Sequence, residues 1–303
     1  MKKVSRPVLY VLFVVLALLW GLSFVFTKNA LEELEPIEIL SIRWVIPSII
    51  YGLLIACGVL KVNFRGKPMK YLLLLILVEP ILYANLETIG VDLTTASESS
   101  IFIGSIPLFV IPVQLLLFHR VPSRKEILGV LIGFAGVLMC IVFSPAAASG
   151  GKLPGYLVLL LTAFTGACYN GLAAKSTETF TTVEMSFAMT LAGGVFFTLQ
   201  NFAMGNGLHA WQVFFCGGPI MWSVLFLGVG CSFAAYFIYN LEVGCFPPTA
   251  MSCVATNSIN MVGVVAGILI SGDPWGWYTV LGVGLTVVGI TLAALAEKKD
   301  IKP

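Results

Sequence analysis

Three polar residues recur at four-residue steps inside one apolar stretch. The stretch runs from Tyr71 to Gly90 and carries Glu79, Tyr83 and Glu87. Residues four apart lie on one face of an α-helix, so we expect the two carboxyl groups and the phenol to share a face. A carboxylate at the centre of a membrane helix costs about 2.5–3.5 kcal/mol on insertion scales. Glu79 is therefore expected to meet a partner, a proton, water or a bound molecule.

Glu79 has two interpretations. A rise of about 1.5 Å per residue from Lys70 places it about 13 Å into a hydrocarbon core that is about 30 Å thick, and no basic residue is predicted at that depth. It could be a protonated, hydrogen-bonded acid that stabilises packing. It could instead face a cavity, where it would contact a substrate amino group or carry a coupling proton. Pro80 lacks an N–H and is expected to kink the helix beside it, as occurs near membrane sites, which favours the cavity.

By the same rise per residue, Arg43 is predicted about 9 Å below the membrane surface opposite to the one at which the Glu79 segment begins. That depth is level with Glu87 and Glu98 and not with Glu79. Arg43 could pair with either of those acids and stabilise the packing. It could instead bind an anionic group, such as a substrate carboxylate, through two parallel hydrogen bonds.

Further candidate substrate-binding residues lie on other apolar segments. Trp20, Trp44 and Tyr83 could form an apolar wall on which a substrate stacks, although plain packing is the alternative. Polar groups near mid-depth serve both as contacts between helices and as ligands. These polar candidates are Ser105, Tyr169, Asn170, Tyr236, Asn257 and Asn260.

The composition indicates an all-α integral membrane protein. Of 303 residues, 58% are hydrophobic and 11% are charged, against about 25% charged in soluble domains. The net charge of +2 gives no indication of nucleic-acid binding. Apolar runs long enough to span a bilayer predict ten transmembrane helices, at about 8–27, 37–60, 70–90, 94–118, 125–143, 154–174, 183–204, 217–240, 247–271 and 276–296.

The basic residues predict the orientation of these ten segments. Of the 17 Lys and Arg residues, 14 fall in the termini and in alternate connections, on one predicted side. Cytoplasmic loops are enriched in Lys and Arg. We therefore expect a multi-pass protein of the cell (inner or plasma) membrane with both termini in the cytoplasm.

Short motifs recur at a nearly constant offset. Asn85-Leu86-Glu87 returns as Asn240-Leu241-Glu242, 155 residues later, and two glycines of the fifth segment return in the tenth. The chain is therefore predicted to contain two five-helix repeats, residues 1–147 and 148–303. Because five is odd, the second repeat would be inverted in the membrane, as in secondary transporters with a site near the midplane. The repeat pairs Glu87 with Glu242, which favours a shared structural role at the helix end. It pairs Glu79 with Ala234, so Glu79 breaks the symmetry.

Several stretches resemble the EamA branch of the drug/metabolite transporter superfamily. These are LLWGLSFVFTK at 18–28, Arg43-Trp44, FHRVPSRKEILGVLIGFAGVLM at 118–139 and SGDPWGWYTVLGVGLTVVGI at 271–290. The family ends each half with a Gly-Glu-Arg/Pro turn; Gly272-Asp273-Pro274 fits with Asp for Glu, whereas His119-Arg120 departs from the pattern. The resemblance implies ten helices and ATP-independent carriage of small organic metabolites, and it identifies no cargo.

We therefore expect a secondary transporter that works by alternating access around a central cavity. Glu79 with Arg43 favours an amino acid or a related amine-bearing metabolite, with Glu79 as the candidate for proton coupling. The alternatives are an exporter of drug-like amphipathic compounds, or a channel or sensor. An enzyme is disfavoured because no segment carries a histidine, an internal aspartate or a GxSG motif.

The expected partners are a small-molecule substrate and the lipid bilayer, with no nucleic acid, cofactor or metal. Gly129-xxx-Gly133 and Gly282-xxx-Thr286 are small-residue faces that allow close helix packing. They suit a scaffold or a homodimer through the fifth and tenth segments.

Overall fold

The computed structural model describes residues 6–118, 123–143, 152–245 and 248–297. Over these residues the chain is helical, with turns and short connections. The predicted boundary between residues 147 and 148, the His119-Arg120 pair and both termini lie outside the described residues.

The helices follow one another with short connections. The fourth predicted segment is divided at Ser105, and one short helix, His209–Cys216, lies in a predicted connection. The helices are α1 Arg6–Ala30, α2 Pro36–Ala56, α3 Lys70–Leu93, α4 Ala96–Gly104, α5 Ile106–Phe118, α6 Arg124–Val142, α7 Leu153–Ser176, α8 Thr182–Ala203, α9 His209–Cys216, α10 Pro219–Val243, α11 Pro248–Ile270 and α12 Trp277–Glu297.

Six helices of the described chain are long and apolar enough to cross a membrane, by length and composition: α1, α2, α3, α7, α8 and α10. Shorter apolar helices occur at Ala96–Val110, Thr256–Ile270 and Trp277–Leu292. An all-α integral membrane protein is therefore confirmed, while the count of ten spans stays a prediction.

Helix α3 is broken near its middle. Glu79 has extended backbone angles, φ −137° and ψ 116°, and the Glu79–Pro80 peptide bond is cis. Helical turns precede the break and resume by Tyr83. Proline has no backbone N–H, so a break in the helix at Pro80 leaves no N–H of that residue unpaired. The predicted kink is present, and Glu79 lies at its centre.

The helices pack in pairs that bring distant parts of the chain together. Helix α1 packs against α11, α2 against α8, α4 against α11, α3 and α5 against α7, and α6 against α12. In the last pair, a Cβ on Gly136 would collide with the Gly282 carbonyl and with Thr286, and one on Gly289 would collide with Gly133. The small-residue faces are thus packed against each other within one chain. A homodimer through the outer faces of these two helices stays a prediction.

Polar contacts show that the connections between helices lie at two opposite ends of the bundle. At the first end, Lys28 Nζ donates to the carbonyls of Val91 and Asp92, at 2.9 and 2.8 Å, and Lys152 pairs with Glu98 at 2.8 Å. At the second end, the following loops meet: residues 57–69, 177–181 and the turn after α10. Successive long helices therefore run in opposite directions between the two ends.

Candidate functional site

A cavity lies among eight helices: α1 to α5, α7, α10 and α11. Residues from both predicted halves line it. Seven of the eleven candidate substrate-binding residues are in the lining: Glu79, Tyr83, Arg43, Trp20, Tyr169, Asn170 and Tyr236. The other lining residues are Ser23, Phe24, Glu87, Ile103, Ile106, Gly166, Tyr239, Thr256 and Ile259.

Glu79 reaches this cavity from the break in α3. Its side chain is almost fully buried, with the residue 1% exposed. The Tyr236 hydroxyl donates to Glu79 Oε1, whereas Oε2 has no hydrogen-bond partner among the described residues. A buried carboxylate oxygen without a donor is costly. This oxygen is therefore a position where an incoming donor would be stabilised.

Arg43 and Glu87 form a second charged group in the cavity. Arg43 Nη1 lies 3.5 Å from Glu87 Oε2, and Arg43 Nε donates to Ser232 Oγ at 3.0 Å. The Tyr83 hydroxyl donates to Glu87 Oε1 at 3.3 Å, across one turn of α3. Of the alternatives left open by the sequence, the structure therefore has Arg43 paired with Glu87.

Glu98, the other acid considered for Arg43, has different partners. It accepts hydrogen bonds from Lys152 Nζ and the Tyr156 hydroxyl, each at 2.8 Å, and it closes a capping box at the start of α4. The depth count placed Arg43 level with Glu87, which agrees with the pairing of these two residues, and the cavity also extends to Glu79.

Aromatic rings form one wall of the cavity. Trp20 lies 5.1 Å from both Tyr236 and Tyr239, between ring centroids, and Tyr169 stacks on Tyr239 at 5.3 Å. Trp44, predicted to be part of this wall, lies behind it: it is fully buried and contacts Tyr236, with 5.4 Å between centroids. The wall thus consists mainly of α1, α7 and α10 side chains.

A hydrogen-bond chain continues from this wall toward the second end. The Tyr239 hydroxyl donates to Asn170 Oδ1. The Tyr169 hydroxyl donates to Asn240 Oδ1 at 3.2 Å, and Asn240 Nδ2 donates to Ser186 Oγ at 3.0 Å. These bonds fix the tyrosine rings in place, because each buried hydroxyl has one acceptor.

The structure places four candidates outside the cavity lining: Trp44, Ser105, Asn257 and Asn260. Ser105 donates to the carbonyl of Phe102 at 2.5 Å, which satisfies its hydroxyl within the chain. Asn260 is fully buried where α11 meets Gly104 of α4, a position with no room for a Cβ. Ser105 is therefore satisfied locally, and Asn260 lies in a contact between helices.

Sequence reasoning missed several lining residues. Glu87 received a structural role, and Tyr239 and Ser23 were not named as candidates, although both line the cavity. A signal for two of them was present. Tyr239 follows Tyr236 by three residues and Ser23 follows Trp20 by three, the spacing that keeps side chains on one helical face.

Comparison with known proteins agrees with the resemblance seen in the sequence. Residues 8–142 match the model of the EamA-like transporter family. A protein of Bacillus subtilis named as the uncharacterized transporter YcxC is 26% identical, over 100% of this chain and 98% of that protein. An uncharacterized transporter of Archaeoglobus fulgidus is 22% identical, over 89% and 93% of the two chains.

The fold is also similar to a solved crystal structure. The TM-score is 0.70 at 16% identity, over 98% of this chain and 100% of that one, a likeness that concerns the fold alone. The family match in the first half and the full-length similarity to named transporters agree with the buried, polar cavity. Residues 8–142 are thus similar to the EamA-like transporter family, and the whole chain is similar to proteins named as transporters.

Proposed function

We propose that this protein carries an amino acid or a related amine-bearing metabolite across the membrane by alternating access. The observation that supports this most is the free Oε2 oxygen of Glu79, a buried acceptor in a cavity between the two halves of the chain. A substrate ammonium group supplies both the missing donor and the opposite charge.

The other cavity residues fit the rest of such a substrate. Arg43 keeps a guanidinium in the lining, where it attracts a substrate carboxylate while it stays close to Glu87. The faces of Trp20 and Tyr236 provide an apolar surface for a side chain and a cation–π contact for the ammonium. Charged groups of both signs with an aromatic wall between them thus match a zwitterion with an apolar part.

Alternating access is supported by how the helices pack. If residues 1–147 and 148–303 are two inverted repeats, exchanging them must convert each helix contact into another. The contact between α1 and α11 then corresponds to the contact of α7 with α4 and α5. The contact between α3 and α7 corresponds to that between α10 and α1, and the contact between α2 and α10 corresponds to that between α8 and α3. All of these contacts occur. We infer that the two halves rock against each other around the cavity between them.

The orientation follows from the basic residues. We propose that the protein lies in the plasma membrane. The second end, which contains the Lys-rich loop before α3, would face the cytoplasm. Both termini would then be cytoplasmic, and the first end would face outward.

Glu79 also suits a coupling proton. An ammonium group and a proton both neutralise the same carboxylate, so they compete for it. Loading of substrate on one side would then release the proton, and unloading on the other side would take one up. Substrate affinity should therefore fall as pH falls, because protonation of Glu79 removes the negative charge that binds the ammonium group.

The proposal is tested by binding to the purified full-length protein. A thermal-shift screen over amino acids, nucleosides, sugars and organic cations identifies the ligand class, and calorimetry gives the affinity. We expect Glu79→Gln to weaken binding of the identified amine at least about tenfold, which is about 1.4 kcal/mol.

The matched control is Glu33→Gln, the same change at an exposed position between α1 and α2. It should leave the affinity unchanged. Equal affinities for wild type and Glu79→Gln would remove Glu79 from the site and contradict the proposal.

The aromatic wall also favours a second function, export of drug-like amphipathic compounds. Such compounds are held by apolar contact, so their binding would survive Glu79→Gln and fall on Trp20→Ala. The same calorimetric series therefore separates the two functions.

A further inference from the structure

Glu242 is a buried acid that the cavity does not use. It lies in the last turn of α10, at the second end, and it is fully buried, with 0% of the residue exposed. Neither carboxylate oxygen has a hydrogen-bond partner among the described residues. The side chain is not part of the cavity lining.

The internal repeat shows what this acid lacks. Glu242 corresponds to Glu87, which is paired with Arg43. The position that corresponds to Arg43 can be found from the helix starts. Glu38 and Glu184 are each the third residue of their helix, α2 and α8, and each closes a capping box.

Arg43 lies five residues after the first of these glutamates. Five residues after the second is Met189, which is 1% exposed and has its sulfur 3.8 Å from Asn240 Nδ2. In the second half of the chain a thioether therefore replaces the guanidinium. The acid is present in both halves, and its cation is present in one.

No other charged group of the described chain compensates Glu242. Helices α1, α7, α8 and α11 pack against the end of α10. The phenol of Tyr239, one turn earlier on α10, interacts with it electrostatically. Ionisable groups on two of the packed helices have partners of their own: Tyr169 with Asn240, Lys175 with Glu178, and Glu184 with Lys67. The described part of α11, from Thr256, carries no charged residue.

An ionised carboxylate that is buried without a cation or donors is strongly disfavoured, and a proton removes the charge. We propose that Glu242 is a proton-binding site at the second end of the carrier, separate from the substrate cavity. The step is the reversible addition of one proton to the carboxylate, with no electron transfer. This inference extends the alternating-access cycle proposed above: the proton exchanges with the second side when that end opens and is trapped when it closes.

The site is tested without transport, by infrared spectroscopy of the full-length protein in lipid nanodiscs. We expect the carbonyl stretch of a protonated carboxyl group at neutral pH, shifted in ²H₂O and missing from Glu242→Gln. A difference spectrum between wild type and Glu242→Gln that contains carboxylate bands only would overturn the proposal. So would loss of the protonated band on addition of Na⁺ or K⁺, because the site would then bind a metal cation.

A second variant avoids any change at Glu242. Met189→Arg restores the cation that the first half has, so the protonated band should be lost as in Glu242→Gln. Alkaline titration of wild-type protein provides the same readout with no substitution, and a band that is unaffected by strongly alkaline buffer would belong to another group.

Transport then separates this site from the substrate site. In liposomes with controlled internal and external pH, Glu242→Gln should bind substrate as tightly as the wild type. Its flux should respond at least about tenfold less than wild-type flux to the pH at the second side. Loss of affinity would place Glu242 in the substrate site, and unchanged pH dependence would contradict its role in the cycle. Failure of the Glu79 binding test leaves the infrared result intact, so the two proposals fail separately.

Discussion

Glu87 and Glu242 occupy corresponding positions in two repeats of one motif, and their surroundings differ. Glu87 lies in the cavity with an arginine and a tyrosine beside it. Glu242 lies outside the cavity with neither. The sequence repeat predicts a shared structural task for the two acids, and the structure shows no shared partner.

The helix starts show the opposite behaviour, because both halves keep the same arrangement. Glu184 caps α8 and pairs with Lys67 from the loop after α2, at 2.6 Å. Glu38 caps α2 and contacts His209 from the connection after α8, at 2.8 Å. The halves thus resemble each other where they support the fold, and they differ where a charge reaches the interior. Our two proposals assign substrate and proton to the interior positions at which the halves differ.

Replacing Arg43 with the residue of the other half should have the largest effect. Arg43→Met leaves Glu87 buried without its cation, which costs about 3–5 kcal/mol of unfolding free energy. The measurement is reversible unfolding in detergent micelles. Adding Glu87→Gln should recover a large part of this loss, because the uncompensated charge is then gone. A double variant no more stable than Arg43→Met would show that the pair does not control stability.

The contact between α6 and α12, where the halves meet through glycines, should be the next most sensitive. Gly136→Ala places a methyl group against the Gly282 carbonyl and should destabilise the protein by about 1–3 kcal/mol, although alanine favours helices. Gly284→Ala is the matched control, since a Cβ there meets no atom within 4 Å. It should be neutral or stabilising by up to about 1 kcal/mol. Equal effects at the two positions would contradict this intramolecular contact.

The two tyrosine–carboxylate pairs of the cavity should differ in their effect on binding. Tyr236→Phe removes the hydrogen bond that holds the Glu79 carboxylate in position, and should weaken substrate binding about tenfold, which is about 1.4 kcal/mol. Tyr83→Phe removes a 3.3 Å bond to Glu87, which keeps Arg43. Its effect should be about threefold or less. A larger loss in Tyr83→Phe than in Tyr236→Phe would shift the substrate from Glu79 to Glu87.

The capping pairs should have the smallest effect, and a similar one at both ends. Lys67→Met and His209→Leu each remove a partly exposed partner of a capping glutamate. Each should lower the unfolding free energy by about 0.2–1 kcal/mol, because partly exposed polar pairs contribute little. The Lys67 effect should be smaller at high salt, which screens its ion pair. A loss above about 2 kcal/mol in either variant would show that the pair does more than cap a helix.

The sequence predicted the parts of the fold that depend on hydrophobic length and periodicity. Long apolar runs predicted the six helices that are able to span a membrane, and Pro80 predicted the break in α3. Glu79 and Arg43 stood out because charge is costly in hydrocarbon, and both line the cavity. The rules that succeeded depend on the local cost of a residue type in a bilayer.

Features that depend on three-dimensional packing could not be predicted in this way. A uniform rise per residue placed Arg43 level with both Glu87 and Glu98, and only the packing of the helices shows that Glu87 is its partner. Ser105 and Asn260 were predicted to be polar at mid-depth, yet Ser105 bonds locally to the Phe102 carbonyl and Asn260 packs against Gly104. The missing partner of Glu242 became visible only when Met189 could be compared with Arg43 across the two halves.

Counterflow in proteoliposomes tests the central claim most directly. Vesicles loaded with the unlabelled amine-bearing ligand should accumulate the labelled ligand transiently and saturably, because a carrier exchanges substrates through one cavity. Glu79→Gln should abolish this exchange, and Glu33→Gln should retain it. Flux that does not saturate, or exchange that is equal in wild type and Glu79→Gln, would contradict a carrier with Glu79 in its substrate site.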